Sequence, residues 1–296
     1  MSTSHNKIFT TSSLFNVEGR TVLVTGGATG IGLMIAQAFA NNGARVYIAS
    51  RREDTLNQTA DVWGKSLVHP KGEIIPVQAD ITDKSSIEKL VNEISSKEKK
   101  LDILVNNAGV SLGTTSTEKG EEGAHALKNE LWKESWEDWE DTYKTNVIGY
   151  FFTSVAFLPL LSAAKRPDYT PCVINVSSIS GITRTSQHHF KYNVSKAATI
   201  HLNTLLAQEF SQSGVQVRVN SIAPGIFPSQ MTTEGKDDKN KSQIHTGDDY
   251  GEKKDIPAGR PGAETDMAQT ALFIACNQYL YGQTVAVDGG YLLKHP

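Results

Sequence analysis

The chain has 296 residues, 39% of them hydrophobic, and a formal net charge of −3 at pH 7. That is enough apolar material for a substantial core, and the near-even charge offers no basic face of the kind that holds nucleic acid. No apolar run approaches the ~20 residues that span a bilayer, and "MSTSHNKIFTTSSLFNVEGR" lacks the continuous apolar stretch of a secretory signal. Cys172 and Cys276 lie too far apart for a disulfide framework, have no metal-ligand spacing, and read as small buried apolar residues. A cytoplasmic protein without a bound metal, a membrane partner or a nucleic-acid partner is the expectation.

In chain order, "RTVLVTG" (20–26) is a short β-branched run ending in glycine and reads as a buried strand. "GIGLMIAQAFANNGA" follows with Ile31, Ile35, Ala38 and Phe39 at helical spacing and Gly43 as a stop. The alternation repeats: strand at 45–50, helix after Arg52, strand at 73–80, amphipathic helix "SSIEKLVNEISSK", strand at 101–109. Further strands fall at 172–178 and 216–225 around a helix holding "KYNVSKAA", before a last helix "ETDMAQTALFIAC" and the strand "TVAVDGG". Strands apolar on both faces and alternating with helices imply a parallel sheet covered on both sides. The fold class is therefore α/β, a single-domain doubly wound parallel sheet of Rossmann type.

Residues 1–17 read as a flexible extension and 18–296 as the domain. Two stretches interrupt it: a polar insertion at 111–137 and a charge-dense segment at about 226–260, read as a mobile substrate lid. "WEDWEDTYKTNVIGYFFTSVAFLPLLSAA" (136–164) is apolar on more than one helix face, which predicts burial nearly all round. Part of that burial is assigned to a second subunit.

"TGGATGIG" (25–32) joins the first strand to the first helix. Glycines there let backbone approach a pyrophosphate, and free N–H groups at the helix start face the anion. At the end of the second strand, where a carboxylate usually holds a ribose hydroxyl, stand Ser50, Arg51 and Arg52. Guanidinium groups suit a 2′-phosphate, so NADP is favoured over NAD.

Tyr192 and Lys196 are one helical turn apart and project from one face. "YGEKK" repeats that spacing at Tyr250 and Lys254, within the lid segment, where both side chains are expected to be solvated. Spacing alone separates neither pair from a chance neighbourhood.

The chain resembles the short single-domain branch of the short-chain dehydrogenase/reductase family from about Val17 to Leu292. The resemblance rests on "TGGATGIG", Asp80, "NNAG" (106–109), "NVIG" (146–149), "SSISG" (177–181), "YNVSK" (192–196), "PGIFPS" (224–229) and "VDGG" (287–290), in that order. It implies a catalytic tetrad of Asn146, Ser178, Tyr192 and Lys196. Gly26, Thr29, Gly30, Ile31 and Gly32 would form the pyrophosphate turn, and Asp80 with Ile81 the adenine pocket. Asn107, Ala108 and Gly109 would underlie the nicotinamide riboside, while Ile226 and Ser229 would meet the carboxamide. Thr29 departs from the basic residue that many members carry there, leaving NADP preference to Arg51 and Arg52.

The resemblance implies reversible hydride transfer between NADPH and a ketone, with Tyr192 exchanging the proton and Ser178 polarising the substrate oxygen. Lys196 would lower the Tyr192 phenol toward neutrality, and Asn146 would anchor a water chain. Alcohol oxidation is the reverse reaction. A silent nucleotide-binding regulatory protein is the alternative from another class. A homodimer or homotetramer is expected by the same likeness.

Overall fold

A computed structural model describes residues 6–233, 235–244, 246–247 and 250–296. The first five residues of the expected extension, and Glu234, His245, Asp248 and Asp249 of the expected lid, lie outside the described residues.

Seven strands form one parallel sheet: β1 (Thr21–Thr25), β2 (Arg45–Ser50), β3 (Glu73–Gln78), β4 (Ile103–Asn106), β5 (Cys172–Val176), β6 (Arg218–Pro224) and β7 (Thr284–Val287). Their order is β3-β2-β1-β4-β5-β6-β7, so the winding reverses between β1 and β4. Loops at the carboxyl ends diverge there and leave a crevice.

The helices are α1 (Thr11–Leu14), α2 (Gly30–Asn41), α3 (Glu53–Thr59), α4 (Lys84–Lys97), α5 (Ala124–Leu131) and α6 (Trp136–Tyr143). They continue with α7 (Gly149–Ser162), α8 (Phe190–Phe210), α9 (Tyr250–Lys254), α10 (Glu264–Cys276) and α11 (Tyr291–Lys294). Strand alternation divides the core. Val22, Val24, Val46 and Ile174 pack with Met34, Phe39, Met267 and Ile274 of α2 and α10. Leu23, Tyr47, Leu104 and Val173 point the other way, onto Leu90 of α4, Phe157 of α7 and Phe210 of α8. Both faces of the sheet are thus buried, as its apolar strands predict.

Arg218 is fully buried in β6, a position hydrophobic patterning leaves unexplained. Its guanidinium donates to Ile274 O at 3.0 Å and Ala275 O at 2.9 Å. It therefore caps the carbonyl end of α10, where a cation also meets the negative pole of the helix.

Several expectations are revised. Residues 7–9 and 11–14 are helical turns, and Val17 is fully buried in the core. Cys172 is buried but Cys276 is only half-buried. The segment Trp136–Ser162 forms a continuous helical run of 27 residues, long and apolar enough by length and composition to cross a membrane. Only part of it is buried, because Ile148, Phe151 and Val155 form an exposed stripe. Tyr250 is not solvated: it opens the one-turn helix α9 and is buried, with no partner for its hydroxyl among the described residues.

Candidate active site

A cleft of about 340 Å³ opens at the carboxyl ends of the central strands. Gly26, Thr29, Gly30, Ile31, Ser50, Arg51, Arg52, Asp80, Ile81, Asn107, Ala108, Gly109, Ser178, Tyr192, Lys196 and Ser229 all line it. Residues from five separate sequence motifs thus share one wall.

The glycine turn is built for close approach. A Cβ on Gly32 would lie 2.2 Å from Gly26 O and 2.4 Å from Asn107 Nδ2, so any side chain there would force the turn open. Asn107 pins the turn by donating from Nδ2 to Thr25 O at 2.9 Å and Gly26 O at 3.1 Å. The Thr25 hydroxyl ties the two loops together, accepting from the Asn107 and Ala108 amides at 3.0 and 3.2 Å. Thr25 carries no obvious signal in the sequence, being one more β-branched strand residue.

At the far end of the cleft, Asp80 Oδ1 accepts from Thr82 N at 2.8 Å and Thr82 Oγ1 at 2.7 Å, which orders the turn after β3. Ser50 Oγ is buried and has no hydrogen-bond partner. Arg51 and Arg52 are exposed, and Arg52 donates to Gln230 Oε1 at 2.8 Å. Close backbone approach at the glycines, an orphan hydroxyl and two guanidiniums at the adenosine end fit a dinucleotide.

The other end gathers the reactive groups. Ser178 closes β5 and caps a short turn, its Oγ accepting from Ser180 N at 3.1 Å. Gly181 in that turn would place a Cβ 2.5 Å from the Lys196 carbonyl carbon, so only glycine lets the turn rest on α8 beside Lys196. Tyr192 lies in the first turn of α8 and lines the cleft together with Ser178. Lys196 is 3% exposed, donates to Val176 O at 2.9 Å and stands 5.7 Å from the Tyr192 ring centroid.

Burial pushes the Tyr192 phenol above its ordinary value, and the Ser178 hydroxyl only partly offsets this. Burial also pulls the Lys196 ammonium down, to about 7. Both shifts have one cause, poor solvation of the charged forms. The expected lowering of the phenol is therefore not produced by the surrounding protein groups.

Asn146 lies behind the cleft instead of lining it. It sits fully buried in a wide π-type turn, Lys144–Ile148, between α6 and α7. Its Oδ1 accepts from Val110 N at 2.9 Å, and Nδ2 donates to Val110 O at 3.0 Å and Ser195 Oγ at 3.0 Å. Ser195 in turn donates to Tyr192 O at 2.7 Å, so Asn146 braces the cleft floor and the tyrosine's helix together. Ser195 was not among the sequence candidates.

Ile226 is corrected. It lines a separate cavity with Ile256 and Val287, while Phe227 reaches the cleft.

The two interruptions are ordered by contacts with the site's elements. In the 111–137 insertion, Glu134 accepts from Lys191 Nζ at 2.7 Å, an ion pair with only 13% and 4% of the two side chains exposed. Thr115 N donates to His188 O at 2.9 Å, and His189 Nδ1 lies 3.2 Å from Gly113 O. The insertion is thus tied to the residues preceding Tyr192. The segment after β6 borders the cleft through Ser229, Gln230, Met231 and Thr232 and then docks on α3. Gln58 Nε2 donates to Asp238 O at 2.6 Å, and fully buried Asn240 donates to Thr59 Oγ1 at 2.8 Å. Its described part therefore packs at the end of the cleft that holds Arg51 and Arg52.

A doubly wound sheet with a glycine-rich turn at its switch point and a buried tyrosine–lysine pair in the same cleft defines a dinucleotide-binding oxidoreductase. A family model described as short chain dehydrogenase matches residues 20–240. The chain is 35% identical over 306 residues to the short-chain dehydrogenase/reductase PhomF of Diaporthe leptostromiformis, covering 100% of this chain and 99% of that one. It is 32% identical over 281 residues to the rhamnolipids biosynthesis 3-oxoacyl-(acyl-carrier-protein) reductase of Pseudomonas aeruginosa, covering 94% and 98%. The solved Pseudomonas aeruginosa RhlG/NADP active-site complex matches with a TM-score of 0.77 at 32% identity, covering 94% and 98%. The chain belongs to the short-chain dehydrogenase/reductase family, whose members use NAD or NADP.

Proposed function

We propose that this protein reduces a ketone to a secondary alcohol with NADPH. The observation that carries the reading is the polarity of one cleft: Arg51 and Arg52 at one end, Ser178, Tyr192 and Lys196 at the other, with the glycine turn between. A pyrophosphate at the glycine turn, a 2′-phosphate at the arginines and a nicotinamide toward Tyr192 would use every part of it. The similarity to a 3-oxoacyl reductase and to an NADP complex supports the same choice of reaction and cofactor.

When bound, the dinucleotide supplies the hydride. Ser178 donates a hydrogen bond to the ketone oxygen, stabilising the negative charge that develops there. Tyr192 gives its phenolic proton to that oxygen, and the Lys196 ammonium, with its charge poorly solvated, replaces it on the phenol. Asn146 and Ser195 hold the helix so that these groups stay aligned. Run backwards, the same residues oxidise the alcohol.

NADPH and NADH consumption against a panel led by β-keto esters and thioesters tests the proposal. Turnover with NADPH and at least tenfold lower kcat/KM with NADH supports it. Nucleotide binding without turnover of any carbonyl compound would favour a regulatory nucleotide-binding protein. We also read the exposed Ile148, Phe151 and Val155 stripe of the 136–162 helix as covered by a second copy, giving a homodimer or homotetramer. Gel filtration showing a monomer removes that part.

A further inference from the structure

The arginines assigned above to a 2′-phosphate have a third cation beside them, drawn from far along the chain. Lys236 comes from the segment after β6, and its ammonium lies 3.4 Å from Thr55 Oγ1, three residues beyond Arg52. Its hydrogen-bond partners among the described residues are neutral: the Thr55 hydroxyl and the Asn240 amide oxygen. Burial, and then the like charge of Arg52, hold its pKa below the ordinary lysine value.

Lys241 meets Glu264 at 2.7 Å, and Arg260 meets Asp266 at 2.7 Å. Arg51, Arg52 and Lys236 have no carboxylate within ion-pair distance among the described residues, although Glu53 and Asp54 are adjacent in sequence. The like charges of Arg52 and Lys236 oppose each other and gain from a shared anion. The buried, partnerless Ser50 hydroxyl lies at the same end of the cleft.

The placement of Lys236 is built into the fold. Trp63 Nε1 donates to Lys239 O at 2.9 Å, and the buried Asn240 amide donates to Thr59 Oγ1 at 2.8 Å. These bonds strap the segment along α3 and set the Lys236 ammonium against Thr55, three residues beyond Arg52. Arg52 itself reaches the same segment at Gln230.

We propose that Lys236 is a third ligand of the adenosine 2′-phosphate, so that the segment after β6 takes part in separating NADP from NAD. The proposal rests on the NADPH reading above. A phosphate dianion bridging Arg52 and Lys236 replaces their repulsion with two charge-assisted hydrogen bonds. Cofactor choice then draws on a segment that the fold already straps along α3.

The test uses the full chain and two probes that differ only in the phosphate: adenosine 2′,5′-bisphosphate and adenosine 5′-monophosphate. Calorimetric titration should show the wild type binding the bisphosphate at least tenfold more tightly. Lys236→Gln should cut that preference about tenfold while leaving monophosphate affinity unchanged, and Lys236→Arg should restore it. If Arg51→Ala/Arg52→Ala abolishes the preference and Lys236→Gln keeps it, the role of Lys236 is overturned and the NADP reading stands. If the wild type shows no preference for the bisphosphate, the NADP reading fails and the role of Lys236 falls with it.

Discussion

Two tyrosine–lysine pairs in this chain share a spacing of four residues and little else. Tyr192 and Lys196 sit on a 21-residue helix packed against the ends of β5 and β6, with Lys196 3% exposed and bonded to Val176 O. Tyr250 and Lys254 span a five-residue helix, with Tyr250 buried against its surroundings and Lys254 in water. In the second pair the lysine is solvated and the tyrosine hydroxyl has no partner among the described residues. In the first, the lysine is withdrawn from water and the tyrosine shares the cleft with Ser178. A helical turn makes neighbours; the end of a parallel sheet takes one pair's lysine out of water.

Substitutions can break this contrast. Tyr192→Phe should lower kcat for ketone reduction by about a thousandfold, the range of a lost positioned proton donor. Tyr250→Phe should leave kcat within about twofold. Lys196→Met should cost about a hundredfold in kcat, while Lys254→Met leaves it unchanged, both read by NADPH absorbance.

The insertion offers a structural counterpart. Burial would raise the Glu134 carboxyl, but hydrogen bonds from Lys191 and Thr115 together outweigh that and hold it below its ordinary value. Glu134→Gln leaves the Lys191 ammonium buried without its near partner and should reduce unfolding stability by about 3 kcal/mol in urea melts.

A pH profile sharpens the pair itself. Lys196 is pulled down to about 7, so its ammonium is present below that pH and lost as pH rises through it. For reduction, kcat/KM for the cofactor, which reports the free enzyme, should fall about tenfold per unit above 7. Lys196→Arg, charged throughout, should show no such fall below pH 9. The smallest effect belongs to the second pair: Tyr250→Phe removes an unbonded buried hydroxyl and should raise stability by about 1 kcal/mol in the same melts.

Local patterns carried most of the architecture. β1 and the glycine turn were legible because their signals, a β-branched run and small residues at a turn, act within ten residues. The same is true of Asp80, Ser178, Tyr192 and Lys196, each placed at a strand end or on a helix by its own neighbourhood. What the sequence left hidden depends on distant contacts. Tyr250 looked solvated because a polar context surrounds it in sequence, although the fold buries it. The segment after β6 looked like a cover for substrate because Asn240 shows no sign that Thr59 will bury it, 181 residues away. Arg218 in a strand makes sense only once the carbonyl end of α10 is beside it. The sequence shows that Tyr192 and Lys196 are neighbours but not that both are withdrawn from water, and among the protein groups burial sets the direction of both shifts.

Transfer of label from NADPH deuterated on the reactive carbon of its nicotinamide, measured by mass spectrometry of the alcohol product, tests the central claim most directly. Wild-type protein should place one deuterium on the former carbonyl carbon, and Tyr192→Phe should bind the cofactor equally well yet form labelled alcohol about a thousandfold more slowly. Equal rates of labelled product from the two proteins would contradict the account.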